Sequence, residues 1–587
     1  MSLSKSQMDA QKRLKVDDLL RRDLRRHGLS LFGISGLINI LALTGSIYMM
    51  QVYDRALTSG SVVTLVALSV LALGMYAFQG AFDTIRAQIM VRIGARLDQR
   101  LAPIAHRVTI DLPRYGYSTT EALERGRSID TLRSFLAGSA PGALFDLPWM
   151  PIFLVFVYVL HPVLFGLTVT GAIVLAIIAV LAEVKSRNVT QAAHQAMIAR
   201  NIAAESNARN SDAIIAMGLV DRAVARYEKV NAAHLLIQKQ SADVNATLTA
   251  LSRVLRMILQ SALLGTGAYL TINGELSAGS IMAVSIASGR ALAPIDQVIS
   301  NWRVILSARH AHSQLRDALM AMKMPNAPLK APVPKATLDV EGMTVASPAN
   351  GRILLTDISF QLKAGQALAV IGPSGGGKST LLRALSSVWP VVRGSIRFDG
   401  TDIRHWDPAR MGEVIGYLPQ EVNLFNGSVI DNISRLSETR DGEGIYAAAQ
   451  LAGVHGMISS FPDGYDTQIG AQGNALSAGQ CQRIGLARAL YGNPFVVLLD
   501  EPNSALDAFG EKALNEAIRT LRDRGAIVIV VAHRPVVLEA VDMVAFIQGG
   551  KLAAFGTKEE VMAKRSDRVV VPMDPQQEPS HSLASSA

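Results

Sequence analysis

Cysteine is nearly absent from this chain: Cys481 is the one present among 587 residues. An intramolecular disulfide is therefore excluded, nothing resembles a thiolate metal site, and Cys481 reads as a packing residue. Charge is also sparse. Only 18% of the residues are Asp, Glu, Lys or Arg against 49% hydrophobic, and the mean hydropathy is +0.26. That balance is too apolar for a soluble enzyme and places part of the chain in a membrane. The net charge of +9 does not mark a nucleic-acid partner, because the excess sits in segments flanking apolar stretches, as the cytoplasmic sides of membrane proteins require. A cleavable signal peptide is not evident: the first apolar run is too long for one and has no small-residue cleavage site behind it. No internal repeat is visible.

What is present divides the chain. Leu29 to Met50 and Ser61 to Phe82 are uncharged and each long enough to span a bilayer. Leu147 to Ala182 contains no Asp, Glu, Lys or Arg and is long enough for two spans turning at His161 and Pro162. His161 therefore reads as an interfacial loop residue rather than a ligand. Met257 to Gly274 is a fifth run, and a sixth, Leu276 to about Val298, carries Arg290 and Asp296. Those charges allow two readings: a pore-lining helix, or a bilayer that ends near Arg290. The segments 83–146 and 183–256 are polar, basic and helical in period, so both are expected to extend into the cytoplasm with the N-terminus and everything after residue 300. The sixth run is rich in small and polar residues, Ser280, Ser285 and Ser288 among them, which suits a passing polypeptide better than a lipid tail.

Beyond a Pro- and Lys-containing linker the pattern changes to alternating strands and helices. Ala367 to Ile371 reads as a buried strand, Gly372 to Ser379 fits G-x-x-x-x-G-K-[ST], and Leu381 to Leu385 opens a helix. Strand, glycine loop and helix together distinguish a phosphate-binding loop from an ordinary glycine turn. Inward backbone N–H groups and the helix N-terminus hold phosphate, Lys378 reaches the β- and γ-phosphates, and the Ser379 hydroxyl can ligate Mg²⁺. A second apolar strand, Phe495 to Leu499, ends in Asp500 and Glu501. Asp500 is placed to hold Mg²⁺ and Glu501 to take a proton from, or orient, an attacking water. Leu476-Ser-Ala-Gly-Gln480 precedes a helical run; Ser477 is either an N-cap or part of a second anion-binding helix start.

These three motifs, in this order, resemble the ABC ATPases. Gln420 in Tyr-Leu-Pro-Gln resembles their Q-loop, Ser504 to Asp507 their D-loop and His533 their switch histidine. The resemblance implies a head-to-tail homodimer with ATP and Mg²⁺ as cofactors. ATP would lie on Gly372, Pro373, Ser374, Gly375, Gly376, Gly377, Lys378, Ser379 and Thr380, with Gln420 and Asp507 nearby and Ser477, Gly479 and Gln480 of the signature segment closing over it. Mg²⁺ would rest on Ser379, Gln420 and Asp500; Glu501 and His533 would be catalytic. Two positions depart from the family. Ser347 stands where an adenine-stacking aromatic is usual, and Gly470 to Gly473 lacks the glutamate of many exporters.

In the membrane part, Leu43 to Leu57, Phe145 to Phe153 (Phe-Asp-Leu-Pro-Trp-Met-Pro-Ile-Phe) and His161-Pro162 resemble the ATPases of bacterial type I secretion systems. Physically these are apolar packing segments with Tyr53 and Trp149 at the interface. With 28 residues before the first span, the chain resembles the short PrtD type, which exports proteases, lipases and related proteins through uncleaved C-terminal signals. The resemblance implies a periplasmic adaptor, an outer-membrane channel, an exported protein and membrane lipid as partners, and a multi-pass place in the bacterial inner membrane. The alternative is an ABC exporter of lipid or small hydrophobic molecules; a soluble ABC ATPase of DNA repair or translation is excluded by the spans. The expected architecture is an α-helical six-span transmembrane domain followed by an α/β P-loop nucleotide-binding domain. Its divisions are a basic N-terminus 1–28, a transmembrane domain 29–323, a linker 324–335, an ABC domain 336–567 and a disordered tail 568–587.

Overall fold

The computed structural model describes residues 27–321, 332–470, 476–504, 506, 508–532, 534–561 and 563. Most of the linker and of the Gly470 to Gly473 segment, the basic N-terminus before residue 27, the tail, Asp507 and His533 lie outside them. Two compact units result: 1–113 with 117–323, and 114–116 with 324–587.

Among its described residues the first unit is helical, without strands. Among the described residues, six helices are long and apolar enough to cross a membrane: α1 (His27–Ser59), the helix Val62–Tyr115, whose α-helical part we call α2 (Val62–Asp111), α4 (Ala140–Leu160), α5 (Pro162–Arg209), α6 (Val220–Ile272) and α7 (Ala278–Ser300). The shorter α3 (Thr119–Ala137) and α8 (Trp302–Ala321) also belong to it. Helix starts follow local chemistry. The Ser61, Ser118 and Ser277 hydroxyls accept from backbone N–H groups at the first turns of α2, α3 and α7, and Pro162 opens α5 where no N–H is needed. At 50 residues α2 is about 75 Å long, more than twice a hydrocarbon core of about 30 Å, so it runs well past the bilayer. The 48-residue α5 and 53-residue α6 do the same.

Polar side chains fix how these helices meet. Arg86 of α2 donates to Asp146 of α4 (2.7 Å) and to Ser35 of α1 (3.1 Å), while Asn39 of α1 donates to the same Asp146 oxygen (3.0 Å). Asp146 thus joins three helices from within a segment that reads as apolar packing in the sequence. Trp149, three residues on, donates its indole N–H to the Phe32 carbonyl at 3.1 Å. At the opposite end of α1 the backbone loosens into a π-helical stretch, Val52–Ala56. That stretch presents Asp54 to the start of α7, where it accepts from the Ser277 hydroxyl (2.7 Å) and the Gly279 N–H (2.9 Å). An acid at a helix N-terminus also complements the helix dipole. His161 sits in the loop between α4 and α5, as expected, with its Nε2 3.4 Å from Glu275.

Helix α7 is the central one: 61% of its apolar window is buried, against 6% for that of α2. Asp296 pairs with Arg256 of α6 at 3.1 Å and accepts from the Ser252 hydroxyl, so it joins α6 to α7. Arg290 is exposed on this chain and forms no ion pair among the described residues. The serines expected to line a path are instead buried: Ser280, Ser285 and Ser288 face neighbouring elements of the same chain, and Ser285 accepts from Gln260 of α6 at 3.3 Å. Small residues serve close helix approach. The uncovered face of α7 carries Arg290, Gln297 and Ser300, with Gly289 and Ala293 half-buried between them.

Among its described residues the second unit holds two sheets. β1 (Thr337–Ala346), β2 (Ile353–Lys363), β4 (Val391–Phe398) and β5 (Thr401–Asp402) form an antiparallel sheet in the order β2-β1-β4-β5. β3 (Ala367–Ile371), β6 (Ile415–Leu418), β7 (Val496–Asp500), β8 (Ile527–Val531), β9 (Met543–Gln548) and β10 (Lys551–Thr557) form a second, in the order β10-β9-β3-β8-β7-β6. All neighbours in that sheet are parallel except β9 and β10. β3, β7 and β8 are buried along their whole length, which is why they read as unbroken apolar runs rather than alternating ones. Cys481 is buried in the core formed with β7, β8 and the helices outside them.

Candidate nucleotide site

Register places the motifs. Val370 of β3 and Asp500 of β7 both pair with Val531 of β8, so the segments after these three strands leave the sheet at one edge. Ligands of open α/β sheets bind outside such carboxyl ends.

After β3 the chain turns through residues that must be glycine. Gly372 has φ +149°, and a Cβ there would stand 2.1 Å from the Ile547 carbonyl oxygen. Gly377 has φ +105°, and its Cβ would meet the Leu355 side chain at 2.6 Å. Between them the loop wraps the start of α9 (Lys378–Leu385). Lys378 is buried, its Nζ donating to the carbonyls of Gly372 (3.0 Å) and Pro373 (2.9 Å). Burial holds its ammonium below the usual lysine range, while Glu501 and Asp500 pull the other way. A buried cation bonded only to carbonyls, within reach of a ring of backbone N–H groups, suits a polyanionic ligand.

Ser379 donates its hydroxyl to Asp500 Oδ1 at 3.1 Å, which brings two of the three residues of the expected Mg²⁺ set together. Asp500 is buried, and burial raises its carboxyl above the ordinary range despite the Ser379 bond. A buried carboxylate beside a hydroxyl is a hard-oxygen donor set that a divalent cation fits. Gln420 is exposed two residues beyond β6, whose Leu418 pairs with Leu499, so its segment lies at the correct strand end. It makes no hydrogen bond among the described residues and is not joined to the Ser379–Asp500 pair.

Glu501 takes φ +50°, a left-handed conformation that costs a non-glycine residue about 1–2 kcal/mol. Gln482 explains how it is held. This residue of α10 (Ala478–Leu490) is buried and donates to the carbonyls of Glu501 (3.2 Å) and Pro502 (2.7 Å), and to the Ser504 hydroxyl (3.2 Å). Sequence reasoning passed over it; the signal was a glutamine on the buried side of an otherwise apolar helix face. Gln482→Leu should lower ATP turnover roughly tenfold or more, the loss expected when buried carbonyls lose their donor, with ATP affinity little changed. Steady-state hydrolysis alongside nucleotide binding checks this.

Ser477 and Gln480 form a reciprocal cap at the start of α10: the Ser477 hydroxyl accepts from the Gln480 N–H (3.3 Å) and the Gln480 side chain from the Ser477 N–H (2.8 Å). Ser477 is exposed there, and neither it nor Gly479 bonds to the phosphate loop of its own chain. Both readings of Ser477 are compatible with this, since a capped helix start still presents free N–H groups.

Comparison with known proteins agrees with this geometry. The ABC transporter family model matches residues 355–504, and the ABC transporter transmembrane region model matches residues 31–289. The Rhizobium meliloti (strain 1021) type I secretion system ATP-binding protein PrsD is 44% identical over 543 residues, 92% of this chain and 93% of that protein. The Escherichia coli O157:H7 alpha-hemolysin translocation ATP-binding protein HlyB is 28% identical, over 92% of this chain and 77% of that one. In fold the chain is similar to a bacterial Atm1-family ABC exporter with ATP bound, with a TM-score of 0.80, 23% identity and coverage of 94% and 99%. A six-span helical unit joined to a P-loop ATPase, sharing nearly half its residues end to end with such a relative, belongs to the type I secretion ATP-binding proteins, multi-pass ABC exporters that couple ATP hydrolysis to transport.

Proposed function

We propose that the chain drives unfolded proteins bearing a C-terminal secretion signal across the bacterial inner membrane, as the ABC component of a type I secretion system. The observation that carries this reading is the 44% identity to a type I secretion ATP-binding protein over 92% of the chain. The working unit is a homodimer with its ATPase units in the cytoplasm, a periplasmic adaptor and an outer-membrane channel as partners, and a transported polypeptide as cargo. In this reading the 372–380 loop cradles the triphosphate and Lys378 compensates its charge. Mg²⁺ would rest on Ser379 and Asp500, with Gln420 joining on closure, and would neutralise phosphate charge. Glu501 takes the proton of the attacking water, and His533 hydrogen-bonds the γ-phosphate. Ser477 and Gly479 of the second copy, with Gln480 fixing their helix start, close over the nucleotide and exclude water. Asp507 would join the residues that bind the nucleotide.

The test is secretion in cells. The chain is co-expressed with an adaptor and channel, and an unfolded reporter carries the C-terminal segment of a protein encoded beside them. Reporter should reach the medium at full length and stay inside when that segment is deleted. Retention of both forms, with hydrolysis stimulated by lipids or hydrophobic drugs, would favour an exporter of lipid or small molecules.

A further inference from the structure

Gln482 holds a strained turn, and the helix that carries it gives the contact a second consequence. α10 starts at the exposed, capped Ser477, yet eight of its 13 residues are buried, and Gln482 among them is only 4% exposed. Farther along the helix a Cβ on Gly485 would stand 2.5 Å from Val422 Cγ1, so α10 has no room to bend by itself. It moves as one piece from its exposed start to its buried face.

The join between α10 and the turn after β7 is polar and withdrawn from water. The two N–H groups of the Gln482 amide face three acceptors: the Glu501 carbonyl at 3.2 Å, the Pro502 carbonyl at 2.7 Å and the Ser504 hydroxyl at 3.2 Å. The Ser504 hydroxyl can in turn donate to the Gln482 carbonyl oxygen, 3.4 Å away. The Ser504 N–H closes the turn by donating to the same Glu501 carbonyl at 3.2 Å. A slip of about 1 Å between helix and turn would take these bonds beyond hydrogen-bond range. Both sides would then be left buried and unmet, a cost that favours carrying the turn along with the helix. Residues 501–504 and α10 therefore shift together.

The two ends of this body reach different nucleotides. In the homodimer, Ser477 and Gly479 of one copy close over the triphosphate held by the second copy, whereas Glu501 of that first copy acts on its own triphosphate. Glu501 is also the point most sensitive to a shift. Its φ of +50° persists only while its surroundings enforce it, and the enforcing side chain comes from α10.

We propose that Gln482 is a positioning residue that couples the two nucleotide sites of the dimer. A triphosphate held by one copy seats the start of α10 in the second copy, and through Gln482 this sets Glu501 of the second copy for attack at its own site. The proposal rests on the homodimer reading above. It adds a route and a dependence: each site turns over fully only while the other is filled.

The experiment uses full-length copies with two different tags, co-expressed, purified through both tags and placed in lipid nanodiscs, with phosphate release followed at saturating ATP. One copy carries Lys378→Ala, which empties its own phosphate loop and leaves one working site. Without coupling the rate per dimer should be about half; with coupling it should fall about tenfold or more, within the usual range for coupled sites. When both copies also carry Gln482→Leu, the rate starts lower and Lys378→Ala in one copy should no more than halve it. A residue that merely supports the fold would lower both rates and leave the dependence intact. Gln482→Met, similar in length and without donors, should repeat the leucine result, and a melting temperature that still rises with ATP shows that either variant folds and binds. A tenfold dependence that persists in both Gln482 variants would overturn the coupling and leave the homodimer standing. If the two tagged copies do not purify together, or Lys378→Ala in one copy only halves the rate with Gln482 intact, the shared-site homodimer falls and the coupling with it.

Discussion

Glu501→Gln should lower ATP turnover by about 10²–10⁴-fold while ATP binding stays near that of the wild type. The amide keeps the shape of the carboxylate but cannot accept the proton of an attacking water. The backbone that carries it should be undisturbed, because Gln482 holds the Glu501 and Pro502 carbonyls. With hydrolysis blocked and the triphosphate retained, the dimer should accumulate in its closed form. Phosphate release by purified protein, together with nucleotide retention on a spin column, reads both halves. Near-normal turnover would remove Glu501 as the base.

Lys378→Ala should act on binding instead, with ATP affinity falling on the order of 10²-fold, the combined effect of two charge-assisted hydrogen bonds. In the structure the ammonium is buried and bonded only to the Gly372 and Pro373 carbonyls, at 3.0 and 2.9 Å. Among the described residues no carboxylate is bonded to it, so its charge is available for phosphate. The variant should still fold, since removing a buried ammonium also removes the cost of burying it. The expected signature is a protein whose melting temperature without nucleotide is close to that of the wild type but no longer rises with added ATP. A thermal-shift titration with non-hydrolysable ATP checks this, and an undiminished rise would contradict the role.

Which features were legible in the sequence follows from the range of the interactions involved. The phosphate loop could be read because its glycines meet local demands, the positive φ of Gly372 and Gly377 and the close approach of Ile547 and Leu355. β3 and β7 could be read because strands buried on both faces must be apolar throughout. The spans could be read because hydrocarbon excludes charge over a fixed length. What the sequence hid depends on partners far along the chain. Asp146 sits in a segment that reads as apolar packing, yet it receives Arg86 and Asn39 from two other helices. Asp54 caps a helix that begins more than two hundred residues later, accepting from its Gly279 N–H. Gln482 was in plain view beside the signature segment, but its three acceptors lie beyond β7. The face of α7 was misjudged for a related reason: small polar residues suit both a wet path and a close helix contact, and only packing tells which. Ser280, Ser285 and Ser288 went to the contact, leaving Arg290 and Gln297 on the open face.

The most direct test of the account is movement of a polypeptide driven by ATP in a purified system. The protein is reconstituted in proteoliposomes, the population with outward-facing ATPase units is supplied with ATP, and an unfolded reporter carrying the C-terminal segment is added outside. The account predicts ATP-dependent protection of full-length reporter from external protease, absent with Glu501→Gln and absent for the reporter lacking that segment. ATP-driven uptake of a small hydrophobic dye, with the reporter remaining fully open to protease, would contradict it.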